Sequence, residues 1–217
     1  MLAAGQVSER VHHPLFARLY ERLAPKMDEQ GAAEHRRELL AGLQGRVLEV
    51  GAGTGLNFDH YPEAVSEVVA IEPEPYLRGR AEEAAEAARI SVSVIDGLAD
   101  QLPAPNESFD AAVASLVLCS VPEQSAALAQ LYRVIRPGGE LRFYEHVLAD
   151  SPGLARLQHA VGHVWPWFAG GCHPDRETGK AIVEAGFAIE ESRGFRFRPS
   201  VIETPVAPHI LGRARRP

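Results

Sequence analysis

The run VLEVGAGTG, Val47 to Gly55, constrains the fold more than any other part of the sequence. An apolar, β-branched segment with the acid Glu49 leads directly into three glycines at alternate positions: Gly51, Gly53 and Gly55. Glycine lets the backbone turn sharply and approach a ligand where any Cβ would collide. A turn of this kind at the carboxyl end of a first parallel strand builds a nucleotide-type cofactor site. The run therefore predicts a strand, a turn and a bound cofactor.

The pattern after this turn predicts an α/β protein with a Rossmann-like, mostly parallel sheet and helices on both faces. Strands that alternate with helices along the chain imply a parallel sheet whose strands are joined by helical crossovers. The predicted strands are Arg46–Val50, Glu67–Glu72, Ile90–Asp96, Phe109–Leu116 and Glu140–Val147. The predicted helices are Gly55–His60, Pro75–Ala88, Glu123–Ile135, Ser151–Phe168 with an interruption at Pro166, and Arg176–Ala185. We expect Phe187–Phe195 and a segment around His209 to form an antiparallel pair at the sheet edge.

We expect one domain with three parts: a helical cap over residues 1–45, a cofactor-binding core over 46–147, and substrate-side helices with terminal strands over 148–217. The cap reads as two amphipathic helices within Val7–Leu43, split at Ala24–Pro25. Two interpretations stay open. The helices either pack as a cap on the sheet or close over the cofactor as a lid, with His13 and Tyr20 pointing inward.

Composition narrows the class of protein. The chain has 217 residues, 46% of them hydrophobic, and a formal net charge of -7, so a nucleic-acid partner is not expected. Its two cysteines imply no disulfide framework and fit a reducing compartment. We see no signal peptide and no apolar run of the roughly 20 residues that span a bilayer. We expect a soluble cytoplasmic protein, monomeric or weakly dimeric, with no membrane partner.

The glycine spacing argues against a dinucleotide. A dinucleotide fingerprint has a third glycine at its sixth position, where this chain has Leu56. Glu72 lies about 20 residues beyond the turn, the position of a carboxylate that accepts hydrogen bonds from a ribose diol. Glu49 places a negative charge where a diphosphate would sit, which favours a cationic or zwitterionic ligand. S-adenosylmethionine combines a ribose, an adenine, an ammonium and a sulfonium, so it fits.

Four motifs in this order resemble the class I S-adenosylmethionine-dependent methyltransferases: EVGAGTG, IEPEP, the Asp96–Gly97 turn with QLPAPNESFD, and LYRVIRPGGEL. The resemblance covers roughly Val47–Leu141 and implies a seven-stranded sheet whose final strand is antiparallel. Many relatives carry an acid where Leu98 stands, so the adenine here would rely on backbone or on Asp96. The candidate cofactor-binding residues are Tyr20, Glu49, Gly51, Gly53, Gly55, Asn57, Glu72, Pro73, Asp96, Gly97, Leu98, Ser115 and Leu116.

The flanking segments LVLCSV, RPGGELRFYEHV, GCHPDRET and PHILG resemble the thiol S-methyltransferase group of methyltransferase-like proteins. The resemblance implies methyl transfer to the sulfur of a small-molecule thiol. His146, at the end of the fifth strand, is the first candidate for removing the thiol proton, and His173 and Arg176 on a later loop are the other catalytic candidates. Alternatively, His146 bonds to backbone at a strand end, and Arg176 forms an ion pair with a nearby carboxylate.

Other interpretations also stay open. The aromatic cluster Trp165, Trp167 and Phe168 reads either as core or lid, or as the wall of an acceptor pocket. Cys119 reads as buried and inert, and Cys172 as an exposed turn residue. A zinc site is a minor alternative, with the ligands His159, His163, Cys172 and His173; we expect no metal. The alternative functions are O- or N-methylation of a small metabolite, cofactor binding without turnover, and an NAD-linked oxidoreductase.

Overall fold

A seven-stranded sheet runs through the computed structural model, which describes residues 13–198 and 204–217. The strand order is β3-β2-β1-β4-β5-β7-β6. The strands are β1 (Gly45–Val50), β2 (Val65–Ile71), β3 (Val92–Ile95), β4 (Phe109–Ser115), β5 (Ile135–His146), β6 (Ala188–Arg196) and β7 (Pro208–Arg215).

The first five strands pair in parallel, and β7 runs antiparallel to both of its neighbours. The predicted Rossmann-like, mostly parallel seven-stranded sheet is therefore confirmed, including its antiparallel final strand. β1 lies between β2 and β4, so the chain order reverses direction at β1. In open sheets of this kind a crevice forms outside the carboxyl ends of the strands at this reversal.

Seven helices flank the sheet within the described residues. They are α1 (Pro14–Met27), α2 (Ala33–Leu40), α3 (Pro75–Ala87), α4 (Gln124–Val134), α5 (Pro152–Val161), α6 (Trp165–Phe168) and α7 (Thr178–Glu184). In this part of the chain we find no helix long and apolar enough to cross a membrane.

Two helix boundaries differ from the sequence-based prediction. The first helix continues through Pro25 to Met27, and the chain instead bends at Gly31, where a φ of 115° lies outside the helical range. The predicted beginning of that helix at Val7 lies outside the described residues. The predicted helix Gly55–His60 is only a 3₁₀ turn over Phe58–His60, because the glycine turn continues to Gly55, which has a φ of 82°.

Each face of the sheet has its own apolar core, as the alternation of side chains along a strand requires. On one face, Leu48 and Val50 pack with Leu128 and Leu131 of α4 and with Ile182 of α7. On the other face, strand residues pack with the cap and with α3. The residues of that cluster include Val47, Val68, Leu39, Leu40 and Ala81. Each large aliphatic side chain buried this way contributes about 1.5–3 kcal/mol.

Candidate functional site

A cavity of about 360 Å³ opens at the carboxyl ends of β1, β2 and β4. Its position is the reversal point of the strand order. Its size is within the range of about 300–1,000 Å³ that is typical of small-molecule sites. The sheet edge supplies one side of the wall, and α1 supplies another with Phe16 and Tyr20.

The glycine turn after β1 forms part of the cavity wall through Gly51 and Gly53. Both have positive φ, 63° and 59°. A Cβ on Gly51 would lie 2.3 Å from Val117 Cγ2, and one on Gly53 would lie 3.2 Å from the Tyr20 ring. Gly55 does not line the cavity. Glycine is needed there because a Cβ would collide with Phe58 and Ala84.

Glu72 lies at the end of β2 and faces the cavity. Its side chain is buried, and its two oxygens accept hydrogen bonds from the backbone N–H groups of Gly53, at 2.8 Å, and Glu74, at 3.0 Å. Burial raises the pKa of Glu72 to about 7. Each carboxylate oxygen has two lone pairs, so each can accept one further hydrogen bond from a ligand hydroxyl.

The end of β4 adds an unsatisfied hydroxyl and a strained residue. The Ser115 Oγ is buried and has no hydrogen-bond partner among the described residues, and Ser115 lines the cavity. The next residue, Leu116, also lines it and has a φ of 60°. Such a conformation costs a non-glycine residue about 1–3 kcal/mol, and such residues cluster at ligand sites.

The loop after β3 closes another side of the cavity with Gly97, Leu98 and Asp100. Asp96 is not among the lining residues; it pairs with Arg78, with its Oδ1 3.2 Å from the guanidinium Nη1. Asp100 supplies an acid in the wall two positions beyond Leu98. Asp100 is not among the candidates from the sequence, although its proximity to the Asp96–Gly97 turn could have indicated that it lies at the same site.

Glu49 and Asn57 lie behind the glycine turn and not among the residues that line the cavity. The Asn57 side-chain amide donates to Glu49 Oε1 at 2.8 Å, and the Tyr61 hydroxyl donates to Glu49 Oε2 at 2.7 Å. Arg36 of α2 donates to Asn57 Oδ1 at 3.0 Å. Burial raises the pKa of Glu49. This buried network joins the cap to the turn, and the carboxylate of Glu49 supports the turn from behind.

The remaining wall comes from α1 and from two loops. It contains the residues His13, Phe16, Tyr20, Val117, Ser120, Val121, Pro122 and Gly170. The sequence pattern had left the cap-or-lid question open, and the cavity-facing positions of His13, Phe16 and Tyr20 make α1 part of the wall. Val121, Pro122 and Gly170 were not foreseen, because nothing in their local sequence indicates which way the loops fold.

None of the three catalytic candidates is among the residues that line the cavity. His146 directs its Nδ1 at two sulfurs, 3.5 Å from Cys119 Sγ and 3.3 Å from Cys172 Sγ. The backbone N–H of His173 donates to the carbonyl of Cys119 at 2.7 Å. Arg176 donates from Nη1 to the carbonyl of Leu118 at 2.6 Å. These contacts join all three residues to the loop after β4.

Glu145, which the sequence offered only as a possible ion-pair partner of Arg176, holds the loop after β4. Its buried carboxylate accepts hydrogen bonds from the backbone N–H groups of Val117, Leu118 and Cys119 at 3.0, 2.9 and 3.0 Å. Burial raises the pKa of Glu145. Arg176 donates hydrogen bonds to backbone carbonyls of the same loop. The loop that carries the cavity residues Val117 and Ser120 is thus fixed by a buried acid and by an arginine.

The aromatic cluster and the histidines of the alternative zinc site lie elsewhere. Trp167 and Phe168 are exposed, at 84% and 76%, and neither lines the cavity. His159 lies with its Nδ1 3.4 Å from a carboxylate oxygen of Asp175. The grouping of metal-binding side chains found among the described residues is instead Cys119, His146 and Cys172, and both cysteines are buried. Cys172 was expected to be exposed, but the turn folds its side chain inward onto His146.

Comparisons with known proteins agree with this geometry. Residues 48–143 match a family model described as a methyltransferase domain. The human thiol S-methyltransferase TMT1B is 34% identical over 92% of this chain and 85% of its own length. The N-methyltransferase NodS from Bradyrhizobium japonicum WM9, solved with S-adenosyl-L-homocysteine, superposes with a TM-score of 0.66 at 19% identity, covering 90% of this chain and 91% of its own. An S-adenosylmethionine-dependent methyltransferase from Mesorhizobium loti superposes with a TM-score of 0.62 at 24% identity, covering 88% of this chain and 100% of its own.

Proposed function

This chain belongs to the methyltransferase family that includes the thiol S-methyltransferases, and we propose that it methylates the sulfur of a small-molecule thiol. S-adenosylmethionine dependence follows from the family. The thiol acceptor is supported by the 34% identity to TMT1B over most of both chains. It is also supported by the apolar residues Phe16, Val121 and Pro122 in the cavity wall.

The residues of the cavity fit S-adenosylmethionine. Glycine at positions 51 and 53 lets the turn approach the Val117 and Tyr20 side chains of the cavity wall, and the unpartnered hydroxyl of Ser115 can bind the polar amino-acid end. The carboxylate of Glu72 can accept hydrogen bonds from the ribose hydroxyls. The loop with Leu98 and Asp100 would hold the adenine, with Leu98 as an apolar contact and Asp100 as an acceptor.

Methyl transfer places few chemical demands on this chain. When bound, S-adenosylmethionine supplies a methyl group on a positively charged sulfur, so the leaving group is built into the cofactor. The protein must align the acceptor with that methyl group and exclude competing nucleophiles such as water. The apolar wall of Phe16, Val121 and Pro122 would do both for a small thiol, because an apolar surface orients the carbon skeleton without offering a competing hydrogen bond.

Among the described residues, His13 is the histidine that lines the cavity, and we assign it the role of accepting the thiol proton. A thiol with a pKa of about 8.5 is only a few per cent ionised near neutral pH, and the thiolate is the nucleophile. A neutral imidazole within reach of the sulfur removes that proton. The sequence-based assignment of this role to His146 receives no support from the cavity lining, because His146 directs Nδ1 at Cys119 and Cys172.

A turnover assay tests the acceptor class. The purified protein would be incubated with S-adenosylmethionine and, separately, with alkyl thiols, aromatic thiols, phenols and amines. The formation of S-adenosylhomocysteine and of the methylated product would be followed by mass spectrometry. We expect methyl thioethers from thiols and rates at least about tenfold lower for the matched phenols and amines, because their nucleophiles are largely protonated or weaker. Turnover with phenols or amines alone would overturn the thiol assignment.

A substrate comparison tests His13. We expect His13→Ala to lower kcat/KM for an alkyl thiol by about 10–100-fold. For an acidic aromatic thiol such as 4-nitrothiophenol, which is already ionised, the loss should be less than about threefold. His163→Ala, an exposed histidine outside the cavity wall, is the matched control and should leave both rates unchanged. Equal losses for the two thiols would contradict the role of a base.

A further inference from the structure

Two cysteines from distant parts of the sequence meet one histidine beneath the cavity. Cys119 comes from the loop after β4, His146 ends β5, and Cys172 follows α6. The two sulfurs and one imidazole nitrogen all lie within 4.8 Å of one another. Both cysteines are buried and free, at 0% and 5% exposure. The described residues thus contain a group of two buried sulfur ligands and one half-buried nitrogen ligand.

The two nitrogen–sulfur distances match those around a tetrahedral zinc ion. Zn–S bonds of about 2.3 Å and Zn–N bonds of about 2.0–2.1 Å place a sulfur and a nitrogen about 3.5 Å apart in a tetrahedral site. The distances from His146 Nδ1 to the two sulfurs are 3.5 Å and 3.3 Å. A neutral imidazole nitrogen has either one hydrogen or one lone pair, so Nδ1 alone cannot bind both thiols well. A metal ion bonds to all three atoms at once.

We propose that Cys119, Cys172 and His146 bind one Zn²⁺ ion. No fourth histidine, cysteine or acidic ligand joins this group in the described part of the chain, so water or another exogenous ligand completes the coordination. Sites with three protein ligands and one open position are an established class for zinc. Two thiolates and an imidazole also favour zinc over magnesium or calcium, which prefer oxygen ligands.

The backbone around the three ligands is fixed without an ion. Glu145 accepts a hydrogen bond from the backbone N–H of Cys119 at 3.0 Å, and the N–H of His173 donates to the Cys119 carbonyl at 2.7 Å. The ring of His146 packs on that of His209, with 4.6 Å between centroids, and His209 Nδ1 donates to the carbonyl of Ala207 at 2.8 Å. Such supporting contacts orient metal ligands in advance.

Charge also favours an ion at this position. Two thiolates balance the charge of Zn²⁺, so the bound site would be neutral in a buried environment, where an uncompensated charge is costly. Arg176 lies close enough to interact electrostatically with both cysteines and with Glu145. Glu145 and Asp175 interact with the same arginine and oppose its positive charge.

At this position a bound ion would help to fix the shape of the cavity. Cys119 precedes Ser120, and Cys172 follows Gly170 by two residues; Ser120 and Gly170 both line the cavity. An ion bound to both cysteines would connect the β4 loop to the segment after α6. It would thereby fix the wall that faces the acceptor, whatever the acceptor is.

Metal titration tests the proposal independently of enzyme activity. The full chain would be fully reduced, stripped with a chelator, and titrated with Zn²⁺ against a chromophoric competitor. Cobalt(II) would be added to a second sample as a spectroscopic probe. We expect one ion per chain, thiolate-to-cobalt charge-transfer bands and the visible bands of a tetrahedral site. Absence of the charge-transfer bands in the wild-type protein would overturn the proposal without depending on any variant.

Variants locate the site. We expect Cys119→Ser and Cys172→Ser each to weaken zinc binding by at least about a hundredfold, and His146→Ala to weaken it by at least about tenfold. His159→Ala, a histidine paired with Asp175 outside the group, is the control and should bind zinc as the wild type does. Circular dichroism would establish that each variant folds. If both folded cysteine variants bound zinc as tightly as the wild type, the ion would bind elsewhere and the proposal would be overturned.

Discussion

We expect the carboxyl group of Glu72 to couple cofactor binding to pH. Burial raises its pKa to about 7, and only the ionised form has all its oxygens free to accept hydrogen bonds from ribose hydroxyls. We therefore expect the affinity for S-adenosylhomocysteine to rise as the pH increases from 6 to 8. The loss of affinity should approach about tenfold for each pH unit below 7. Calorimetric titration across this range measures the slope.

Two variants of acidic residues sharpen this prediction. Glu72→Gln should bind more weakly and show no slope, because an amide does not titrate. Glu82→Gln, on an exposed part of α3, should keep the slope of the wild type. A flat affinity profile in the wild-type protein would contradict the assignment of Glu72 to the ribose.

The same group makes the stability of the ligand-free protein depend on pH. Its folded-state pKa of about 7 lies above the ordinary value of 4.5, so the folded protein holds the proton more tightly than the unfolded chain. The contribution of Glu72 to stability is therefore fully present below pH 4.5 and is lost as the pH rises through 7. The loss is about 3 kcal/mol. Urea unfolding at pH 5 and pH 8 should show a smaller difference for Glu72→Gln than for the wild type.

Ser115 should separate binding from stability. Its buried, unpartnered hydroxyl costs the ligand-free protein desolvation free energy, so Ser115→Ala should leave the free energy of unfolding unchanged or raise it by about 1 kcal/mol. Affinity for S-adenosylhomocysteine should fall by about five- to tenfold if the hydroxyl binds the ligand. Ser108→Ala is the control, because that hydroxyl donates to the carbonyl of Pro105 and lies outside the cavity lining. Lower stability with unchanged affinity in Ser115→Ala would refute the assignment.

At the scale of elements, the loop after β4 depends on one buried acid at the end of β5. Glu145→Gln replaces one of the two accepting oxygens with a donor that faces backbone N–H groups of residues 117–119. A buried donor left without a partner costs about 1–3 kcal/mol, and we expect the free energy of unfolding to fall by that amount. Urea denaturation measures the change. Glu123→Gln, at the exposed beginning of α4, is the matched control and should unfold like the wild type.

The cap contributes to the site as an element too. α1 is held against α3 by the hydrogen bond from the Tyr76 hydroxyl to Glu21, at 2.5 Å, and by the ion pair between Arg80 and Glu21, at 2.7 Å. Because Phe16 and Tyr20 line the cavity together with residues at the sheet edge, both α1 and the sheet contribute to its wall. We expect a ligand that fills the cavity to contact both.

At the scale of the whole molecule, a ligand that contacts both walls should stabilise one side of the sheet selectively. We expect S-adenosylhomocysteine to slow amide hydrogen exchange in α1 and in the glycine turn, because local opening there would release the ligand. β6, at the far edge of the sheet, has no residue in the cavity wall and should exchange at an unchanged rate. Exchange mass spectrometry with and without the ligand makes the comparison. Equal protection across the chain would contradict a cavity that α1 closes.

The fold was largely readable from the sequence because its signals are local. Side chains along Val47–Val50 point alternately to the two faces of the sheet, and the turn glycines follow directly. Glu72 follows the next strand, at the expected distance from the turn. Parallel strands end at the same edge, so residues that follow different strands meet there without any further information. The predicted break between the first two helices at Pro25 is wrong: α1 continues through Pro25 to Met27, and the chain bends at Gly31, where φ is 115°.

The sequence by itself determined the sheet, the glycine turn and the family of the chain. Only the tertiary structure decided which way individual side chains face. It turned Glu49 toward Asn57 and Tyr61, and it brought His13 into the cavity wall. It also gathered Cys119, His146 and Cys172 at one point. Spacing along a strand or helix fixes which residues share a face, whereas contacts between residues far apart in the chain depend on how loops and helices pack together.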